Sequence, residues 1–245
     1  MSELFNQDQE TVEDLQFHGL KLIQKKKGFR FGMDAVLLAD FARIRPDDSV
    51  ADFGSGSGIL PVLLYGRGKG KTYYAVEIQE ELCHLAERNL ALNGISGEVI
   101  CADLRFRVTQ LPMGRIDAVI ANPPYGEPHA TIYSLEEAKA IARSQREGTL
   151  DGFFANAFYA LKGRGKISVI YPVTSMLSLM NVMKKHHLEP KRFRLIYPNL
   201  EKPANLVLVE AVKDAKAGLH AMPPLIVREE NGDLTNELKS IYHMA

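Results

Sequence analysis

From residue 48 onward, short runs of β-branched and apolar residues alternate with longer stretches whose apolar positions recur every three or four residues. The runs predict strands at 49–53, 72–77, 98–102, 116–121, 166–171, 193–197 and 206–212. Between them the helical period predicts helices over 59–66, 80–93, 151–161 and 175–186, with Gly94 as the C′ glycine that stops the second. Such alternation specifies an α/β fold, a mostly parallel sheet with helices on both faces. Too few residues separate the last two runs for a helical crossover, so they pair antiparallel as a hairpin. Six strands with crossovers and then an antiparallel seventh is an unusual plan for a dinucleotide-binding domain. Residues 122–148 break the alternation, with Pro123, Pro124, Gly126, Pro128 and Gly148 and no strong period, and read as a functional loop or lid.

Composition narrows this picture. The chain has 245 residues, 46% hydrophobic and 24% charged, which suits one α/β domain with a short extension and excludes disorder and fibrous repeats. No run approaches 18 consecutive apolar residues, and the first residues, MSELFNQDQETVEDL, are acidic where a signal peptide would be basic and then apolar. A soluble, cytoplasmic protein without a membrane segment is expected. Cys83 and Cys101 form no C-x-x-C pair, so neither a disulfide scaffold nor a zinc module is expected, and both read as core residues. No metal is expected.

Charge changes the reading once it is followed along the chain. The formal net charge is zero, from 30 basic and 30 acidic side chains, which argues against a nucleic-acid partner. Residues 21–45, however, hold seven bases (Lys21, Lys25, Lys26, Lys27, Arg30, Arg43, Arg45) against Asp34 and Asp40. Residues 184–202 hold Lys184, Lys185, Lys191, Arg192, Arg194 and Lys202 against Glu189 and Glu201. Each run alone reads as a solvated face. Together they flank the sheet at its start and finish, where the fold can bring them to one rim.

The chemistry concentrates at strand ends. Val50-Ala51-Asp52-Phe53-Gly54-Ser55-Gly56-Ser57-Gly58 joins the first strand to a helix. Its glycines permit a sharp turn and close approach of a ligand to free helix amides. Ile59 stands where a dinucleotide fingerprint has its third glycine, which disfavours NAD, and no Lys-Ser/Thr makes a P-loop. Glu77 ends the second strand, where an acid can accept hydrogen bonds from two ribose hydroxyls. A tight βα turn with no ligand explains the glycines alone; it does not explain the acid. Asp103 follows the third strand, where it can accept an adenine amine beside Leu104 or simply cap the segment that follows.

Asn122-Pro123-Pro124-Tyr125 follows the fourth strand. An amide or aromatic amine is a poor nucleophile because its lone pair is delocalised. Two acceptors aimed at its N–H bonds, the Asn122 side-chain oxygen and the Pro123 carbonyl, favour a pyramidal nitrogen and stabilise the positive charge that develops. The prolines lock φ. Tyr125 offers a flat surface for a base drawn from its stack.

These motifs resemble the class I S-adenosylmethionine-dependent N-methyltransferases, and within them the bacterial tRNA(Val) adenine-N6 methyltransferases. The closer likeness rests on 29–39, FRFGMDAVLLA, and 202–211, KPANLVLVEA. It covers about residues 15–212 and implies a Rossmann-like, seven-stranded, mostly parallel sheet with the last strand antiparallel. It divides the chain into an extension over 1–48 that covers the site, a catalytic domain over 49–212 and a tail over 213–245 to which no pattern assigns a role. It implies S-adenosylmethionine as cofactor, with Asp52, Gly54, Gly56 and Gly58 around its methionine part, Glu77 and Ile78 at the ribose, and Asp103 and Leu104 at the adenine. Phe31 and Asp34 would close over it, though an amphipathic covering helix explains Met33–Ala39 equally well. Asn122 would also line the cofactor, Asn122 to Tyr125 would hold the target base, and Lys25, Lys26, Lys27, Arg30, Arg143, Arg146 and Lys202 would contact RNA.

The resemblance implies methylation of adenine N6 in a tRNA anticodon loop by a protein expected to be monomeric. Single-stranded loops expose bases that a small enzyme can splay onto an aromatic residue. Methylation of a protein glutamine, as in release-factor methyltransferases, and of guanine N2 in ribosomal RNA stay open; DNA adenine methylation demands more recognition surface. An inactive cofactor-binding module is a further alternative, against which the intact tetrad stands.

Overall fold

A computed structural model describes residues 5–6, 8–27, 32–123 and 150–243. An antiparallel pair, β1 (Glu10–Asp14) and β2 (Lys21–Lys25), precedes helix α1 (Met33–Phe41). Then follow β3 (Ser49–Phe53), α2 (Ile59–Gly66), β4 (Thr72–Glu77), α3 (Glu80–Leu92), β5 (Gly97–Cys101) and β6 (Ile116–Ala121). A helix over residues 150–160, α4, leads to β7 (Leu161–Pro172), α5 (Met176–Lys185), β8 (Leu188–Tyr197) and β9 (Leu206–Lys213). The chain continues into β10 (His220–Ala221), β11 (Leu225–Ile226) and α6 (Asn236–Ile241).

The sheet order is β10-β8-β9-β7-β6-β3-β4-β5, with β11 also on β8. β9 is antiparallel to both β7 and β8, and the other pairings are parallel. The sheet thus has nine strands among the described residues rather than seven, because the segment beyond 212 adds two short ones to the outer edge of β8. The central runs are apolar on both faces because helices cover both. One core joins Phe17, Leu22, α1, α2 and α6; the other joins α4, α5 and the opposite side chains of the strands.

Local signals explain the joints. Helix α3 ends as expected at Gly94 (φ 64°): its N–H donates to the Ala91 carbonyl at 3.1 Å and that of Ile95 to the Leu90 carbonyl at 2.9 Å, the paired bonds of a Schellman end. At α6, Thr235 Oγ1 accepts from the Leu238 N–H (3.2 Å) and donates to the Ile226 carbonyl (2.8 Å), so one hydroxyl caps the helix and ties it to β11.

Candidate active site

Strands β3 to β8 all run one way, so their carboxyl ends share one edge of the sheet. That edge is where open α/β sheets bind ligands. The turn after β3 holds Gly54, Gly56 and Gly58 at φ 72°, 57° and 78°, a region that L side chains rarely adopt. At Gly58 an added Cβ would also stand 3.3 Å from the Ala86 backbone, so glycine lets α2 pack against α3. At Gly56 nothing lies within 4 Å of that position: the loop presents open space there.

Glu77 shapes this loop. Its buried carboxylate accepts from the Gly56 N–H at 2.9 Å through one oxygen and from the Ile78 and Gln79 N–H groups at 3.0 Å through the other. Ile78 beside it is 54% exposed and offers an aliphatic face, whereas Leu104 is buried in the core against α4. Asp103 is held in a turn by Arg105, whose guanidinium grips both carboxylate oxygens and whose N–H donates to Oδ1 at 2.9 Å; Arg105 keeps this carboxyl below its ordinary range. Both the local turn and a half-buried acid just beyond the strand end are therefore present.

Asp52 lies beneath the loop, 2% exposed. Its Oδ2 accepts from the Ser55 hydroxyl at 2.6 Å, and its Oδ1 is buried without a partner among the described residues. Burial pushes the carboxyl up to about 7, against the Ser55 hydrogen bond and with help from the Glu77 charge. The folded state thus keeps this proton at pH values where an unfolded chain has lost it. The stability so contributed is full below about pH 4 and lost as pH rises to about 7, on the order of a few kcal/mol. Asp52→Asn should flatten that slope, so that in ligand-free thermal melts the variant gains on the wild type from pH 5 to pH 8. A constant difference would refute a neutral buried carboxyl.

A cleft of about 260 Å³ gathers Lys25, Lys27, Ala35, Gly54, Ser57 and Asn122 on its walls. The glycine turn, the first helix and the end of β6 thus meet at one place. Asn122 is half-buried and Pro123 buried. Phe31, Arg30, Pro124, Tyr125, Arg143, Arg146 and the expected lid over 122–148 from Pro124 onward lie outside the described residues.

Asn89 has no place in the sequence reading, yet it organises the cleft. It is fully buried on α3; its Oδ1 accepts from the Ile23 N–H (2.7 Å), and its Nδ2 donates to the Ile23 carbonyl (3.0 Å) and the Ser57 carbonyl (2.8 Å). One amide therefore joins β2, α3 and the glycine loop. The available signal was a polar residue among the buried Cys83, Leu85, Ala86 and Leu90. Arg88 adds a bidentate pair to Glu10 of β1 at 2.6 and 2.8 Å.

The cations are arranged differently from the expected continuous rim. Lys25 pairs with Glu81. Lys26 is exposed, and Lys27 is exposed on the cleft wall. Of the second basic run, Lys184 and Lys185 end α5, which returns the chain to the opposite edge of the sheet. Lys185 pairs with Asp151 (2.6 Å), Arg192 with Glu210 (2.9 Å) and Arg194 with Glu237 (2.7 Å). Lys202, in the loop after β8, is the member of that run at the site's edge. Cys101 is another correction: it is exposed at the end of β5, while Cys83 is buried.

Residues 31–186 match the methyltransferase small domain family. The chain belongs to that family. Its similarity to known members runs through most of its length. The tRNA1(Val) (adenine(37)-N6)-methyltransferase of Photobacterium profundum is 24% identical over 187 residues, 75% of this chain and 77% of that protein. That of Flavobacterium johnsoniae is 26% identical over 178 residues, 71% and 74% of the two chains. The ribosomal RNA small subunit methyltransferase C of Aeromonas hydrophila is 33% identical, but over 113 residues, 45% of this chain and 32% of that one. Among solved structures, one described as a predicted O-methyltransferase from Agrobacterium tumefaciens has a TM-score of 0.69 at 24% identity, over 86% of this chain and 96% of its own. M. jannaschii TYW2 in complex with AdoMet has 0.56 at 17%, over 85% and 87%. These two share the Rossmann-like fold.

As a methyltransferase of this family, the protein takes S-adenosylmethionine as methyl donor. The residues present fit that group. The glycine cradle opens at Gly56, and Asp52 Oδ1 is a buried acceptor without a partner among the described residues. Glu77 and the exposed face of Ile78 stand at the next strand end.

Proposed function

We propose that this methyltransferase modifies the exocyclic N6 of an adenosine in a tRNA anticodon loop. The observation that carries the reading is the opening of Asn122, at the carboxyl end of β6, into the same cleft as Gly54 to Ser57. S-adenosylmethionine supplies an electrophilic methyl group on a sulfonium. Asn122 would accept one N–H bond of the target amine through its side-chain oxygen, and the Pro123 carbonyl would accept the other. Pro123 has no N–H to compete and is buried, which fixes its carbonyl direction. These two acceptors stabilise positive charge on nitrogen as it forms. Holding amine and donor in line supplies the remaining acceleration. No side chain need remove a proton first, because the methylated amine becomes acidic and releases one afterwards.

The tRNA substrate is favoured by the relatives named as tRNA1(Val) (adenine(37)-N6)-methyltransferases, which align along three quarters of this chain. Tyr125, carried over from the sequence resemblance, would stack the base, and Lys27 and Lys202 stand exposed for phosphate contact. A second reading, guanine N2 of ribosomal RNA, draws on the higher identity of the shorter match. Incubation with labelled S-adenosylmethionine and separate pools of unmodified tRNA and ribosomal RNA, followed by nucleoside mass spectrometry, decides between them. N6-methyladenosine in one tRNA is expected. Label in ribosomal RNA or protein alone overturns the proposal.

A further inference from the structure

A second cavity, about 710 Å³, opens beside the first, within the size range of small-ligand sites. Its walls come from the first turn of α1, the loop between β8 and β9, and the tail beyond residue 226, with Met33, Asn199, Lys202, Arg228, Leu234 and Tyr242 among them. The first turn of α1 divides the two cavities: Met33 faces this one, and Ala35 faces the cleft that holds Gly54 and Asn122. The loop between β8 and β9 leaves from the same sheet edge as Asn122. It is pinned there by the Val173 N–H, which donates to the Asn205 carbonyl at 3.0 Å just beyond the end of β7.

The chemistry of these walls is selective. Among the described residues they are chiefly apolar and carry two cations, Lys202 and Arg228, and no acid. Lys202 has no carboxylate partner among the described residues, while its N–H bond to Asn199 Oδ1 (3.0 Å) fixes the turn that presents it. Arg228 donates to the Gly232 carbonyl at 2.6 Å and likewise pairs with no carboxylate among the described residues. By contrast, Arg192 and Arg194 of the neighbouring strand β8 are each paired with a carboxylate. Burial, helped by the charge of nearby Asp34, holds the Tyr242 phenol above its ordinary range, so it stays a neutral donor with a flat face.

We propose that this groove holds a nucleotide flanking the target in the RNA, its base against Met33 and Tyr242 and its phosphates on Lys202 and Arg228. An apolar slot with unneutralised cations at its rim suits a flat base joined to an anionic backbone. The inference rests on the reading of the substrate as RNA. It gives the tail, which the sequence left without a role, a part in choosing the substrate.

The test uses the full chain and a stem-loop RNA carrying the target adenosine. Lys202→Ala with Arg228→Ala should raise KM for RNA on the order of tenfold and reduce the salt slope of binding by about two. Melting temperature and affinity for S-adenosylmethionine should stay those of the wild type. Lys202→Arg with Arg228→Lys should restore KM, and RNA lacking the base on one side of the target should lose affinity for the wild type. Unchanged KM and salt slope in the alanine pair, with wild-type RNA methylation intact, overturn the groove alone. If the wild type methylates no RNA, both the groove and the substrate reading fall.

Discussion

Asn122→Ala leaves the protein folded and able to bind S-adenosylmethionine while lowering kcat roughly 10²–10³-fold, the usual cost of removing one preorganised partner of transition-state charge. The reason lies in where the residue stands. Asn122 caps a strand whose neighbours β3 and β7 are both paired along its length, so the backbone that carries it does not depend on its side chain. The residues that fit the methyl donor, from Asp52 to Glu77, belong to other strands and keep their own hydrogen bonds. Single-turnover rates and calorimetric affinity separate the two effects. An alanine variant with wild-type turnover would remove Asn122 from the chemistry; one with equally weakened donor binding would make it a cofactor residue.

Arg192→Met should lower the stability of the whole domain by about 3–5 kcal/mol, because it leaves Glu210 buried with an uncompensated charge. Arg192 and Glu210 are both buried and joined by two bonds of 2.9 Å. The same guanidinium donates to the Phe41 carbonyl at 2.6 Å, at the end of α1, and lies 3.8 Å from the Phe41 ring centroid. It thereby links the β8–β9 hairpin to the first helix. Arg192→Met combined with Glu210→Leu should recover most of the loss, since an apolar pair in the same volume avoids burying either charge. Urea midpoints of the two single variants and the double provide the measurement. A double variant no more stable than Arg192→Met would show that the helix contact, not the ion pair, carries the energy.

The central strands β3, β4 and β6 were legible in the chain because they are buried over most of both faces and so read as chiefly apolar, β-rich runs. The hairpin of β1 and β2 was not. ETVED carries three acids and reads as a solvated acidic stretch, yet Glu10 is buried against Arg88, and the pairing of the hairpin rests on Asn89 and Arg88, more than sixty residues away. Strands β10 and β11 are two residues each, too short for any period, and exist because β8 offers them an edge. The glycine turn, Glu77 and Asn122 were visible as residue types at strand ends. The distribution of free positive charge was not, because a count of Lys and Arg carries no information about which of them meet an acid. Arg192 looked like part of a basic surface and is instead a core residue.

The bond from Asn89 to Ser57 reaches the hairpin of β1 and β2 as well. Because one amide closes on both the hairpin and the glycine loop, peeling the hairpin away and loosening the loop are expected to occur together. A donor that holds the loop closed adds to the free energy of that opening, by about 2.7 kcal/mol at a hundredfold excess over Kd. The amino-terminal hairpin thereby becomes a reporter of occupancy: amide exchange at Ile23, and proteolytic cutting at the exposed bend near His18, both slow as the methyl-donor pool fills the site.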